Sequence, residues 1–312
     1  MPAGPLPSRG NPPVLRQLTL ALLLAAPVAV AAADPDPFDQ SGVPIEQLPT
    51  DPTLAKIVLI AGFPATTKKS GEHEYFAGVA LLAKMLKQTP GVHPVVVKGG
   101  WPKKAETLPG AKAVVLFLEG GDANTVIKGD HIKELMKLEG EGAGIAHLHS
   151  AIDYPKDFTE RIRAAAGGVW QKGPGKRAHW VGEFKDFPDH PIFRGVTPFS
   201  IDDGWLWVNS FAEGRKGVTP LLRTKSPKDA GKTTDDDAVI AWAFDRANGG
   251  KSFTFTGGHL HESLSKEGYR RFLVNGILWS AGRDIPKVGA PVKLAPAEMN
   301  ANLDKKPAPK KK

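Results

Sequence analysis

The stretch that decides the fold is Lys56-Ile57-Val58-Leu59-Ile60-Ala61-Gly62, a short run of apolar and β-branched residues closed by a glycine. A run that is apolar at every position, rather than at alternate positions, is typical of a strand buried on both faces. Directly after it the period changes, and apolar residues recur at helical spacing between Glu72 and Gln88 until Pro90-Gly91 ends the predicted helix. A buried strand followed by an amphipathic helix is the repeating unit of an α/β fold.

The same alternation continues along the chain. Apolar runs predict further strands at 94–97, 113–118, 144–148, 206–208, 219–223, 238–244 and 252–256, and helical spacing predicts helices over 130–138, 154–166 and 266–280. Asn248-Gly249-Gly250 indicates a hairpin between the last two strands. The sequence therefore predicts a doubly wound, mostly parallel sheet with helices on both faces.

The N-terminal 33 residues have the layout of a secretory signal peptide. Arg9 and Arg16 precede the apolar run Leu18 to Ala33, which is interrupted by Pro27 and ends in Ala31-Ala32-Ala33. A retained membrane anchor is the alternative, but the run is shorter than the roughly 20 residues of a spanning helix. We therefore expect an exported protein, periplasmic or extracellular, without an integral membrane segment after leader removal.

The positive charge of the chain lies mainly at its two ends. Of the formal charge of +8, the leader supplies two and the five lysines after Asp304 supply five, which leaves +1 on residues 34–304. A nearly neutral body does not favour nucleic-acid binding, which depends on neutralising phosphates. Residues 34–54 form an entry segment rich in Pro and Asp, 55–285 one α/β domain, and 286–312 a Lys-, Pro- and Ala-rich tail predicted to be disordered.

The chain contains no cysteine, which excludes thiol mechanisms and cysteine-ligated zinc. No nucleotide cofactor is expected either. The glycine-rich turns Glu119-Gly120-Gly121-Asp122 and Thr256-Gly257-Gly258-His259 lack the lysine and the spacing of a phosphate loop, and there is no dinucleotide fingerprint.

Five of the nine histidines follow or end predicted strands: His73, His147, His149, His259 and His261. In open α/β sheets the functional crevice lies outside the carboxyl ends of the strands, so these side chains are candidates for one site. Acidic and hydroxyl groups accompany them in the same segments.

Two pairs of these histidines have the pattern His-x-His, and residues i and i+2 of an extended segment project to the same side. Such a pair could chelate a divalent metal such as Zn²⁺, so these four and His73, which follows the first strand, are candidate ligands. Without a metal, the same imidazoles could act as general acid and base. Alternatively, one histidine of each pair packs in the core or caps a helix while its partner is solvated.

Candidate substrate-binding residues are Ser150, Asp202, Trp205 and Glu262. Ser150 stands where a strand meets a helix but lacks the Gly-x-Ser-x-Gly pattern of a nucleophile elbow, which favours a cap or turn role. Asp202-Asp203 beside Trp205 and Trp207 is a combination suited to a sugar, since an indole stacks on a pyranose ring while carboxylates accept hydroxyl hydrogen bonds. Core packing explains the tryptophans equally well.

Taken together, these motifs resemble the trehalose-utilisation, ThuA-like family. The resemblance spans roughly residues 55–285 and rests on the order and spacing of Ile145-Ala146-His147-Leu148-His149-Ser150-Ala151, Asp189-His190-Pro191-Ile192 with Gly195, Asp202-Asp203, Trp242 before Gly249-Gly250, Gly257-Gly258-His259, and Gly276-Ile277-Leu278-Trp279-Ser280-Ala281-Gly282-Arg283.

The resemblance implies a flavodoxin-like sheet of the class I glutamine amidotransferase type, in a family that has usually lost the catalytic cysteine. Amidotransferase chemistry is excluded for this chain because it has no cysteine. The family also implies a role in carbohydrate metabolism, often of glucosides or their keto derivatives, with a histidine-lined pocket that holds a metal in some members. By motif, His149, His259 and Asp203 are carried over as catalytic positions and His73 more loosely, while His147 and His261 depart from the common pattern.

Our hypothesis from the sequence is an exported enzyme, a hydrolase or lyase, that processes a glycoside or keto-glycoside. Its partner would be a small-molecule carbohydrate, and it would act by His/Asp acid-base catalysis or by metal-assisted catalysis. The alternative is a non-catalytic sugar-binding module of the same fold.

Overall fold

The first strand is buried along its whole length except at Lys56, as its apolar sequence predicts. The structure, a computed structural model, describes residues 1–5, 10, 36–229 and 231–307. Its strands are β1 Ala55–Ala61, β2 Val92–Lys98, β3 Ala113–Phe117, β4 Gly144–Leu148, β5 Gly168–Val169, β6 Lys176–Phe184, β7 Phe199–Trp207, β8 Ser210–Phe211, β9 Val218–Arg223, β10 Val239–Asp245 and β11 Lys251–Phe255. The α-helices are α1 Tyr75–Leu86, α2 His131–Gly140, α3 Thr159–Ala166 and α4 Glu267–Ser280.

The central sheet has seven strands in the order β2-β1-β3-β4-β11-β10-β9. Strands β2, β1, β3, β4 and β11 are parallel to one another, and β10 runs antiparallel to both β11 and β9. The five parallel strands follow the flavodoxin-like order, in which the connections reverse direction between β1 and β3. The predicted fold class, a doubly wound and mostly parallel α/β sheet, is confirmed.

Alternate residues of β1 belong to two different apolar layers. Ile57 and Leu59 pack in the layer that contains α1 and α4, and Val58 and Ile60 pack in the layer that contains α2 and α3. All four side chains are fully buried. This two-sided coverage is the physical reason why residues 57–61 are apolar at every position.

A long antiparallel hairpin, β6 and β7, forms a separate two-stranded sheet with nine residue pairs from Lys176↔Trp207 to Phe184↔Phe199. Sequence patterns leave β6 unassigned and predict only the end of β7. The inward side of the hairpin buries Trp180, Phe184 and Trp205 against the layer of α1 and α4, and its Lys176–Trp207 end lies over the carboxyl ends of the parallel strands.

Residues 286–307 run along the folded body, although their composition predicts a disordered tail. Ala290 and Val292 are buried, and the Gln40 amide donates hydrogen bonds to the carbonyl oxygens of Asn302 and Leu303 at 2.9 and 3.0 Å. Residues 308–312 and nearly all of the predicted signal peptide lie outside the described residues. Within the described part of the chain, no helix combines the length and apolarity that crossing a membrane requires.

Candidate functional site

Three histidines meet at the carboxyl ends of the parallel strands. His73 Nε2 lies 2.7 Å from His259 Nδ1 and 3.2 Å from His149 Nε2, and the last two nitrogens are 3.3 Å apart. All three side chains are buried. They form the one cluster of potential metal ligands found among the described residues.

The strand order brings these residues together from distant parts of the sequence. His73 stands between β1 and α1, His149 directly follows β4, and His259 follows β11. The His73 backbone N–H donates to the carbonyl oxygen of His259 at 2.9 Å, and the His261 N–H donates to Gly71 at 2.8 Å. The loops that carry His73 and His259 are therefore joined by main-chain hydrogen bonds, independently of their side chains.

Two of the three histidines have left-handed backbone conformations, with φ of 51° at His73 and 54° at His149. A side chain at such a φ costs about 1–3 kcal/mol and persists where the surrounding structure imposes it, often at functional sites. At His149 this turn also ends the extended strand, so the side chains of His147 and His149 diverge.

The outer nitrogen of each imidazole faces an oxygen. His149 Nδ1 donates to the carbonyl oxygen of Thr256 at 3.0 Å, His73 Nδ1 lies 3.0 Å from Glu119 Oε2, and His259 Nε2 lies 3.8 Å from Glu72 Oε2. The Thr256 carbonyl oxygen can only accept, so the proton of neutral His149 is on Nδ1 and its Nε2 turns a lone pair toward the other two rings. With a proton of His73 directed at Glu119 and a proton of His259 on the side of Glu72, three lone pairs would converge at one point.

Burial favours the neutral imidazoles. It lowers the pKa of His149 well below the ordinary value, and it lowers the pKa of His259 to about 3 with a further contribution from His73. Burial also lowers the pKa of His73, although Glu119 opposes this. The pKa of Glu119 is lowered overall: burial raises it, but hydrogen bonds from His73 and Tyr75 outweigh that effect. Glu119 is therefore an anionic acceptor for His73.

Asp203 acts on the site through the backbone. Its carboxyl oxygens accept hydrogen bonds from the N–H groups of Gly204, Gly258 and His259, each at 2.8 Å, and from that of Leu260 at 3.2 Å. Burial raises its pKa to about 7 against the opposing effect of these donors. The sequence proposes Asp203 as a catalytic group, and the structure places it behind the loop that presents His259.

The two other candidate ligands lie away from the cluster. His147 Nε2 is 3.3 Å from the Tyr154 hydroxyl, and His261 Nε2 donates to the carbonyl oxygen of Met299 at 2.8 Å. The expectation that i and i+2 share one side requires an extended backbone. His149 departs from it with φ of 54°, and Gly258, with φ of 103°, turns the chain just before the second pair.

The candidate substrate-binding residues occupy different environments. Ser150 lines the histidine cavity, and its hydroxyl is 3.0 Å from that of Tyr75 and 3.1 Å from the Leu118 carbonyl oxygen, to which it donates. Trp205 adjoins the cavity, but it is fully buried and donates to the Trp180 carbonyl oxygen, so it offers no open face to a sugar. Asp202 and Glu262 are exposed and lie outside the cavity.

The histidines open into a cavity of about 350 Å³ beneath the β6–β7 hairpin. Glu119, Asp153, Arg177 and His179 also line it, and the His179 ring centroid lies 4.5 Å from that of His259. None of these four is among the site residues predicted from the sequence. Glu119 could have been found by its position at the end of β3, whereas Arg177 and His179 lie on a strand that no pattern predicts.

Comparisons with known proteins place the chain in a family. The family model described as ThuA, trehalose utilisation, matches residues 64–280, more than half of the 312 residues. A comparison with curated proteins finds no match.

Several solved structures are similar. A ThuA-like protein from Parabacteroides merdae is 15% identical, with 80% of this chain and 99% of that chain covered and a TM-score of 0.53. A ThuA-like protein from Bacteroides uniformis is 17% identical, with 79% and 98% covered and a TM-score of 0.48. At this identity the first likeness supports the fold alone. Because the family model spans most of the folded body, the chain belongs to the ThuA, or trehalose-utilisation, family.

Proposed function

We propose that this protein is an exported enzyme that cleaves a glycoside or keto-glycoside with the help of a divalent metal ion held by His73, His149 and His259. The observation that carries the proposal is the triangle of imidazole nitrogens, with sides of 2.7, 3.2 and 3.3 Å. Export is supported by the signal-peptide layout of the first 33 residues.

The donor set fits a metal ion. Three neutral imidazoles and an open side toward the cavity are the pattern of a catalytic Zn²⁺ site, in which tetrahedral Zn–N bonds of about 2.0–2.1 Å place neighbouring nitrogens about 3.3–3.4 Å apart. The sides of 3.2 and 3.3 Å match this spacing, and the 2.7 Å side between His73 and His259 would open by about 0.6 Å to hold the ion. Three inward lone pairs would repel one another without a cation or proton between them. The oxygens behind His73 and His149 supply the outer hydrogen bonds that metal-bound histidines ordinarily make.

A bound divalent ion supplies Lewis acidity, which polarises a substrate oxygen. The chain itself would hold and orient the sugar. Arg177 and His179 lie on the hairpin side of the cavity, and Ser150 and Asp153 lie on the sheet side. Hydroxyl, carboxylate, guanidinium and imidazole groups that converge on one cavity are suited to the many hydroxyl groups of a carbohydrate.

Metal analysis and turnover of a panel of glucosides and keto-glucosides test this proposal. Purified protein should contain about one divalent ion per chain, and His149→Ala and His259→Ala should lose both the ion and turnover. His93→Ala, whose ring bonds the Gln47 carbonyl oxygen far from the site, is the matched control. Unchanged turnover in both site variants would overturn the proposal, and tight sugar binding by a wild type without turnover would favour a non-catalytic binding module.

A further inference from the structure

Asp153 stands where two clefts meet. It lines the histidine cavity, and it also lines a neighbouring cleft of about 760 Å³ bordered by Asp122, Lys156 and Lys172. Glu119 is the other residue common to both. A ligand that filled the histidine cavity and extended into the neighbouring cleft would pass these two carboxyl groups.

The main chain of Asp153 is held firmly. Its N–H donates to the Ser150 carbonyl oxygen at 2.9 Å, and its carbonyl oxygen accepts from the Gly121 N–H at 2.9 Å and from the Asn124 amide at 3.3 Å. Gly120 packs so closely that a Cβ there would overlap Asp153 Cβ and the Ser150 carbonyl oxygen. The fold therefore fixes the main chain and Cβ of Asp153.

Its carboxyl group, by contrast, is uncommitted. No hydrogen bond or ion pair within 4.0 Å joins the Asp153 side chain to another described residue, whereas Glu119 is bound by both His73 and Tyr75. Burial raises the pKa of Asp153 to about 6. The charged groups that face it are Arg177 and Lys172, which lower this pKa, and Glu119 and Asp122, which raise it. A carboxyl group with such a pKa donates protons effectively near neutral pH.

We propose that Asp153 is the general acid for a two-unit substrate whose sugar lies in the histidine cavity and whose departing unit lies in the neighbouring cleft. This inference rests on the proposed function. In hydrolysis, the bond between the anomeric carbon and the bridging oxygen breaks as the Asp153 proton passes to that oxygen. The hydroxyl of a water molecule bonds to the carbon, and the remaining proton of that water returns to the Asp153 carboxylate. The products are a sugar with a hemiacetal hydroxyl at its anomeric carbon and the alcohol of the departing unit, and no oxidant or reductant is consumed.

The role of Asp153 is tested by how the loss of kcat in a variant depends on the leaving group of the substrate. Asp153→Asn should lower kcat about 10²- to 10⁴-fold for glucose disaccharides, whose leaving groups need a proton. For 4-nitrophenyl glucosides, whose leaving group departs as a stabilised anion, the loss should be less than about 10-fold. The fall of the wild-type rate above the pKa of the acid should disappear from the pH profile of the variant. Asp122→Asn, on the same cleft but outside the histidine cavity, is the matched control.

The outcomes separate the two proposals. A wild type that cleaves neither class of substrate nor the keto derivatives of either overturns the proposed function and this inference with it. A wild type that cleaves both, with equal losses or no losses in Asp153→Asn, overturns this inference alone. If Asp153→Asn does not fold, Asp153→Glu takes its place. Disaccharide turnover by that variant should still fall at high pH, but with a midpoint shifted from that of the wild type. An unshifted midpoint would contradict the role of Asp153.

Discussion

Lys306 Nζ lies 2.9 Å from Glu74 Oε1, and this ion pair is buried, with side-chain exposures of 2% and 0%. Glu74 also accepts hydrogen bonds from the N–H groups of Gly71 and Asp304, each at 2.8 Å. Because Glu74 directly follows His73, the C-terminal segment fastens the loop that carries one of the three histidines.

Removing one partner of this pair should be strongly destabilising. Lys306→Met leaves the Glu74 carboxylate buried without its cation, and such losses cost about 3–5 kcal/mol of the free energy of unfolding. Urea denaturation measures the change. Lys305→Met, at an exposed neighbouring position, should change stability by less than about 0.5 kcal/mol. Equal stability of the two variants would show that the ion pair does not fasten the loop.

Metal removal should distinguish the clustered histidines from the separate ones. Dialysis against a chelator should lower Tm, since a ligand that binds only the folded state stabilises it. His73→Ala and His149→Ala should abolish the bound ion, whereas His147→Ala and His261→Ala should keep about one ion per chain, as elemental analysis would show. Loss of the ion in the last two variants would mean that the His-x-His pairs chelate after all.

A methyl group at Gly204 should displace the His259 ring sterically, without changing the charge or the identity of any ligand. A Cβ there would lie 2.8 Å from His259 Cγ and 3.1 Å from His179 Cε1, too close for the present ring position. We expect Gly204→Ala to weaken metal affinity about 10- to 100-fold, as losses of ligand orientation commonly do. Chelator competition gives the affinity. Gly140→Ala, with open space around the added methyl, should match the wild type.

The carboxyl group of Asp153 should make stability depend on pH. Its pKa is raised from 3.8 to about 6 by burial, so the folded state binds more protons than the unfolded state between these values. Its contribution to stability is therefore fully present below about pH 4 and is lost as pH rises through about 6. The difference in unfolding free energy between wild type and Asp153→Asn should follow this trend, and a difference independent of pH would contradict it.

Much of the secondary structure could be predicted from local sequence. The runs at 57–61 and 113–118 are apolar at every position, and the run at 144–148 is apolar except at His147; they form the buried strands β1, β3 and β4. Strand β6 could not be predicted in this way. Trp180 and Phe184 are buried, but the exposed Val181 is apolar and Gly182 has no side chain, so the alternation typical of a strand is broken. The segment becomes a strand by pairing with β7.

The composition of the C-terminal segment was misleading for a different reason. Residues 286–307 are too short and too polar to form a core of their own, which predicts disorder. They are ordered by partners far away in the sequence, since Lys306 meets Glu74 across 232 positions and Asn302 meets Gln40 across 262. Local sequence patterns do not predict contacts between residues so far apart in the chain.

The sequence by itself determined the doubly wound sheet and the placement of histidines at strand ends, because apolar periodicity is a local property of the chain, and the order and spacing of its motifs indicated the family. Only the tertiary structure decided that His73, His149 and His259 meet while His147 and His261 do not. That choice depends on the order of strands across the sheet and on the left-handed turns at His149 and Gly258. The position of His259 also depends on Asp203, whose carboxyl oxygens accept hydrogen bonds from four backbone N–H groups in and beside the loop that carries His259.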